Sequence, residues 1–565
     1  MRYVLAGQAG GQEGKRMGPG ELPEFLAGCL VSHEEALTRL VRSGRRIASG
    51  FATSEPHTFY DGLWEHIQRR DLRELQFKQA LFMAPHRLCI GHALEGRGLL
   101  GQAARREGAL GRLAGRVHRV SRKLQGLGRL AEHYRELRAR RITFTSPFIG
   151  ATLNPIIPDH PLLRVVYPEL AGRNSTRMGI TDMQSIHFPD AVDSMGYDPD
   201  LTPLADLFVL VMTPPDERGE LSHGLANGAN GEILELILEH RSVDLLLYLN
   251  PAYPFTRGYG DAPNSVPAER FRPLAEAGRL TVVWDADGKL PCAPSGSFAN
   301  PSRSEVAIAE HVVNHIEAHA AFTHGRAIQV GIGRTGVQAI RLLRDSSWTG
   351  RMYTEMLEPF SLDLLEAGKI AGSHLLELDG RRTPLDGKVV CTFTMAEEGS
   401  GFYRRLDRNP AVVIAPASRV VISPAFYGGL GINNCLGVDF QGHVNAAGKD
   451  RNHHSGIGGQ GQIVRGLSVG GVAYLCLKST HRTPTGELRS SICPYQPVGT
   501  PISLVGADLM GGRQGGRVFL VTEHGVARLS GQSQSGFIRA LVSVAHPRFQ
   551  PWLRRRAWEE FRVTW

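Results

Sequence analysis

The sequence predicts an α/β protein with mainly parallel sheets, arranged as two domains. Three observations lead there. Helix-like and strand-like stretches alternate along most of the 565 residues. The longest apolar runs, such as 204–212 and 243–249, are of strand length. The alternation then begins afresh after a Pro/Gly/Ser-rich stretch at 290–302. Strands that alternate with helices read as strand–helix–strand units and parallel sheets, and such a stretch reads as a linker.

Residues 1–32 are read as a loose N-terminal tail, because the opening residues are rich in glycine and carry little apolar periodicity. The segment Ala9–Arg16 only approaches a phosphate-binding loop: Ala9 stands where the first glycine belongs, and Arg16 where a hydroxyl must reach the metal. A first domain is expected over 33–295, with a helix over 34–43, a strand over 45–51 and a helix over 58–70. The segment 97–141 interrupts it as a basic helical insertion, its glycines at 111, 115, 126 and 128 dividing it into short helices. A second domain is expected over 303–565, opening with a helix over 304–322, the strand 327–330 and a helix over 337–345.

Composition narrows the function classes. Charged residues make up 21% and hydrophobic ones 42%, the balance of a folded soluble protein. No apolar run reaches the roughly 18 residues of a membrane span, and the N-terminus lacks a signal-peptide core. A cytoplasmic location with no membrane partner is expected. The net charge of +9 is local: 97–141 hold 13 Arg and Lys against 3 Glu, so the remainder is close to neutral. That stretch has one Tyr and no Phe or Trp for bases to stack on, which disfavours nucleic acid. The 7 cysteines are scattered without a CxxC pair, so neither a disulfide framework nor a zinc site is expected. His311, His315 and His319 share one helix face but lack accompanying acids, and no metal is expected there either.

The strand 327–330 runs into Gly331-Ile332-Gly333-Arg334-Thr335-Gly336 and a helix, with Glu355 following. This spacing satisfies the dinucleotide fingerprint, including an acid for a ribose hydroxyl. It equally suits a thioester oxyanion, since glycines admit a close backbone and helix N-termini attract any anion. Local spacing leaves both open.

The surrounding text adds Tyr353-Thr354-Glu355-Met356, a second glycine turn over 455–462, the neighbouring stretches 432–446 and 465–471, and the stretches 518–533 and 541–549. In that order these resemble the C-terminal domain of the acetyl-CoA hydrolase/transferase family of class I CoA-transferases. The stretch 213–224 resembles a first-domain turn of the same family. The resemblance implies two CoA-transferase-like α/β domains with the site between them. It implies Glu355 as a nucleophile that carries CoA as a glutamyl thioester in ping-pong transfer between an acyl-CoA and a carboxylate. It places the backbone amides of Val330 and Gly459 as oxyanion donors. Gly331, Ile332, Gly333, Leu436, Ser455, Gly458 and Arg482 would line the CoA arm, with coenzyme A as a substrate and no permanently bound cofactor. A homodimer is the implied assembly. Gly437 and Gln462 stand where the family carries acids. Acyl-CoA hydrolysis on the same site, an NAD-linked dehydrogenase and a silent partner-binding paralogue remain the alternatives.

Overall fold

The computed structural model describes residues 16–84, 86–92, 126–148, 181–286, 288–298, 300–449, 452–453, 455–483 and 486–565. Two eight-stranded sheets form its framework. The first runs, in spatial order, through Leu30–Val31, Leu280–Trp284, Asp244–Leu249, Leu207–Met212, Arg46–Ser49, Gln76–Lys78, Thr143–Ser146 and Thr181–Met183. All of its neighbours are parallel. The second runs through Val412–Ile414, Val389–Cys391, Arg351–Tyr353, Ala327–Val330, Leu430–Asn434, Val472–Cys476, Arg517–Thr522 and Gly525–Arg528. Only its last pair is antiparallel. Central strands such as Leu207–Met212 and Val472–Cys476 are buried at every residue, which is why they are written as continuous apolar runs.

Most expected elements form with shifted ends. The strand 327–330 is Ala327–Val330, and the helix after it, Arg334–Asp345, starts three residues earlier than its apolar periodicity begins. The expected helix 58–70 is two, His57–Tyr60 and Leu63–Arg69, because Gly62 at φ +69° turns the chain between them. The helix Arg303–Ala318 begins at a Ser302–Glu305 capping box. Its histidine face is tied internally: His315 Nδ1 meets Tyr474 Oη at 2.8 Å and His319 Nδ1 meets the His315 carbonyl at 2.9 Å.

The N-terminal tail needs correction. Residues 1–15 lie outside the described residues, but 16–32 are built into the fold. Glu24–Ala27 is a helical turn, and Leu30–Val31 pairs with Val282 and Val283 at the edge of the first sheet. Arg16 reaches the Tyr253 carbonyl at 2.5 Å and also pairs with Asp407. Of the basic segment, 126–139 are helical and pack Leu127, Leu130 and Leu137 inward, while 97–125 lie outside the described residues.

Between the sheets, residues 285–302 carry no helix or strand among those described. The two halves nevertheless share a core. Phe51, Phe148 and Phe188 of the first half close on Phe393 of the second, with Phe51 and Phe188 stacked at 4.6 Å. Each is at most 5% exposed, so this junction is dry. It lies directly against the glycine turn described next.

Candidate active site

Glu355 sits in the turn between the strands Arg351–Tyr353 and Met356–Leu357. Its carbonyl is fixed by the N–H groups of Thr392 at 3.0 Å and Phe393 at 3.4 Å. Thr354 is anchored by its own N–H to the Val390 carbonyl at 2.9 Å. A side chain on so constrained a backbone has little freedom of direction.

That direction is toward the second glycine turn. The N–H of Gly459 donates to Glu355 Oε2 at 3.1 Å. Gly459 is also the N-cap of the helix Gln460–Leu467, so the positive end of that helix faces the carboxylate. Among the described residues Oε1 carries no hydrogen bond. Glu355 is half-buried in the surface sense, yet its carboxyl is desolvated strongly enough that its pKa rises to about 7, the Gly459 N–H pulling the other way. Glu358, three residues on, is raised to about 7 by burial as well. Both of its oxygens are occupied, by Ser361 Oγ and by the Phe360 N–H, each at 2.7 Å. Glu358 is a helix cap; Glu355 has an oxygen to spare.

The glycines of the turn are required for different reasons. A Cβ at Gly456 would lie 2.1 Å from the Phe148 ring, and one at Gly459 would lie 2.2 Å from both Glu355 Oε2 and Val421 Cγ1. Gly458 has φ +65°, and its carbonyl accepts the Phe188 N–H at 3.2 Å. Phe148 and Phe188 thus hold the turn from the first half while Glu355 meets it from the second.

Val330 departs from expectation. Its N–H donates to Thr354 Oγ1 at 3.3 Å, so of the two amides expected at the reaction centre only that of Gly459 meets Glu355. The Leu436 N–H is likewise spent, on the Asn445 carbonyl at 2.7 Å, and the Ser455 N–H goes to Ala447 at 3.1 Å.

A cleft of about 970 Å³ has Asn434 on its wall, whose carbonyl accepts Gln460 Nε2 of the helix after this turn at 2.9 Å, while Glu355 and Gly459 do not line it. Ile332, Gly333, Leu436 and Arg482, four of the residues expected along the CoA arm, line it. Ile332 is 51% exposed there, and the Ile332 carbonyl takes Asn434 Nδ2 at 2.9 Å. Gly331, Ser455 and Gly458 are not on its wall; Gly331 is held by its N–H to the Ile432 carbonyl at 2.7 Å. Sequence reasoning missed Lys478 and Arg334 in the same wall. They flank Glu305 Oε1 at 2.8 and 3.5 Å. No motif joins these three positions, and only the packing of helix Arg303–Ala318 against the second sheet brings them together.

The two missing acids are absorbed locally. Gln462 Oε1 accepts from Ser423 Oγ at 2.8 Å. Gly437 is buried in the strand Gly437–Asp439, where a Cβ would press on Gln496 and the Ser491 carbonyl at 3.3 Å.

Comparison with known proteins finds relatives among CoA-transferases. Residues 399–557 match the model of the acetyl-CoA hydrolase/transferase C-terminal domain. A probable butyrate:acetyl-CoA coenzyme A-transferase of Syntrophomonas wolfei is 32% identical over 274 residues, which is 47% of this chain and 56% of that protein. A butyryl-CoA:acetate CoA-transferase of Anaerostipes caccae is 29% identical over 44% of this chain and 52% of its own length. The chain thus spans about half the length of these curated relatives. The crystal structure of RipA from Yersinia pestis superposes with a TM-score of 0.66 at 20% identity, covering 97% of this chain and 100% of RipA. That likeness is one of fold.

Proposed function

We propose, from the premise that this chain belongs to the acetyl-CoA hydrolase/transferase family, that it transfers CoA between an acyl-CoA and a carboxylate through Glu355. The observation that carries the reading is the Glu355 carboxylate with one oxygen on the Gly459 N–H and the other unengaged. Oε1 attacks the acyl carbonyl carbon, the C–S bond breaks, and CoA leaves as thiolate with an acyl-glutamyl anhydride behind it. The thiolate then attacks the glutamyl carbon. Negative charge builds on Oε2, the atom already facing Gly459, and a donor so placed stabilises it. The first carboxylate departs, leaving a glutamyl-CoA thioester. A second carboxylate reverses both steps, so the kinetics are ping-pong.

Ile332, Gly333, Leu436 and Arg482 take the CoA arm along the cleft they line, where Lys478 and Arg334 share Glu305 and leave one positive charge between them. The burial of Phe51, Phe148, Phe188 and Phe393 beside the turn keeps water from the intermediates, which favours transfer over hydrolysis. The carboxyl of Glu355 is held at the second glycine turn by the Gly459 N–H, which weighs against its serving a nicotinamide site at the first. The homodimer implied by the resemblance belongs to the same proposal and is read by light scattering.

Intact mass after incubation with acetyl-CoA tests the reading. A CoA-sized adduct that disappears on adding excess acetate is the expected result; free CoA released with no adduct under any condition would replace transfer by hydrolysis. The acid limb of the reaction follows from the same geometry. The nucleophile is the ionised carboxylate, and its pKa is raised to about 7. kcat/KM is expected to climb with pH through neutrality, standing about tenfold below its plateau at pH 6. A limb centred near the ordinary carboxylate value of 4.5 would place the rate-controlling ionisation elsewhere.

A further inference from the structure

Away from this site, one group of side chains among the described residues has metal-ligating chemistry: Glu55, His57 and His86. They stand beyond the carboxyl ends of two adjacent parallel strands, Arg46–Ser49 and Gln76–Lys78, paired at Ala48 and Lys78. Glu55 follows the turn Ala52–Ser54, His57 opens the helix His57–Tyr60, and His86 precedes the helix Arg87–Ile90. The carboxyl edge of a parallel sheet is where open α/β folds place ligands.

The geometry points to a site for a divalent transition-metal ion held by Glu55 Oε1, His57 Nε2 and His86 Nε2, and this is the inference we draw. The two imidazole nitrogens approach the same carboxylate oxygen, at 3.0 Å for His57 and 2.5 Å for His86. All three atoms lie within 4.8 Å of one another. The carboxylate is aimed by its other oxygen: Oε2 accepts the Met83 N–H at 2.8 Å and Gln79 Nε2 at 3.3 Å. The His86 ring is stacked on Tyr60 at 4.5 Å, and the Tyr60 hydroxyl meets Ser49 Oγ at 2.8 Å. An outer layer of this kind orients metal ligands in known sites.

The ordinary alternative is a buried carboxylate shared by two histidines, with His86 hydrogen-bonded to Glu55 Oε1 and His57 beside the same oxygen at 3.0 Å. His57 Nε2 is also buried, and it has no hydrogen-bond partner of acceptable alignment despite its approach to Glu55. A buried ring nitrogen left so is a debit in a folded protein. A cation accepts lone pairs from both rings and the carboxylate at once. Two imidazoles and one carboxylate suit zinc, cobalt or nickel better than calcium or magnesium, which take shells of oxygen. Three protein ligands leave a fourth position for water. His57 keeps 16% of its side chain exposed while Glu55 keeps none, so entry is from the His57 side. No sequence motif announces the site, because Glu55-Pro56-His57 and His86 come from different loops.

The ion would clamp the loop that carries Thr53, whose Oγ1 donates to the Thr394 carbonyl at 2.8 Å, next to Phe393. Cobalt(II) titration of the full chain after chelator treatment tests this. One equivalent is expected to bind with visible ligand-field bands of low coordination number and to raise the unfolding temperature. His57→Gln and His86→Gln should each weaken binding at least about tenfold, while His319→Gln, on the far helix, should bind as wild type. Binding unchanged in both ligand variants, or no ligand-field bands in wild type, overturns the site. Should a variant fail to fold, diethylpyrocarbonate mapping of wild type decides: His57 protected by the metal supports the site, and His57 modified equally with and without metal overturns it.

Discussion

Gly459→Ala is expected to lower kcat by about 10²–10³-fold, the loss typical of one preorganised oxyanion donor. The added methyl would sit 2.2 Å from Glu355 Oε2 and 2.2 Å from Val421 Cγ1. No backbone conformation is at stake, since Gly459 has φ −88°. The carboxylate must therefore swing off the amide, and the 3.1 Å contact that would become the oxyanion contact is lost. Gly458→Ala provides the contrast. Its φ of +65° makes alanine strained by about 1–2 kcal/mol, but the new Cβ would lie 3.8 Å from Glu355 Oε1, an ordinary contact. The first variant should lose rate in stopped-flow adduct formation and the second should lose mainly unfolding free energy. Equal rate losses in both would mean that the turn acts as a unit and that the Gly459 amide has no special position.

That contrast marks how far the sequence could be read. Both glycine turns are legible because glycine is the one residue whose presence reports backbone approach, while Glu355 is singled out by the resemblance of Tyr353–Met356 and its neighbouring stretches to the family, not by local spacing. The parallel sheets are legible from apolar runs such as Leu207–Met212, buried on both faces. What is not legible depends on partners distant in the chain. Nothing local to Val330 says that Thr354 Oγ1 takes its N–H. Nothing in the order of residues says that Phe148 and Phe188 press on Gly456 and Gly458, or that Lys478 and Arg334 meet at Glu305. The edge strand Leu30–Val31 was hidden for another reason. Two residues are too short for any periodicity, and their place is set by the groove beside Leu280–Trp284.

Glu355→Gln is expected to abolish adduct formation and to lower kcat/KM by at least about 10⁴-fold, as loss of a covalent nucleophile does. The same substitution should make the protein more stable at high pH. In the folded state burial raises this carboxyl to about 7 from an ordinary 4.5. The native protein therefore holds a proton between those values that the unfolded chain has released. Its stability falls as pH rises from 4.5 through 7, and above that range the buried charge is fully present. Glutamine removes the charge and keeps an oxygen for the Gly459 N–H. Urea unfolding at pH 8 should show the variant ahead by roughly 2 kcal/mol, with the gap closing toward pH 4.5. An inactive variant whose stability tracks wild type across that range would mean that Glu355 ionises as freely as a surface acid. The nucleophile would then owe its reactivity to the amide of Gly459 alone. A variant that gains stability while losing all turnover places the strain of catalysis on the buried charge of Glu355.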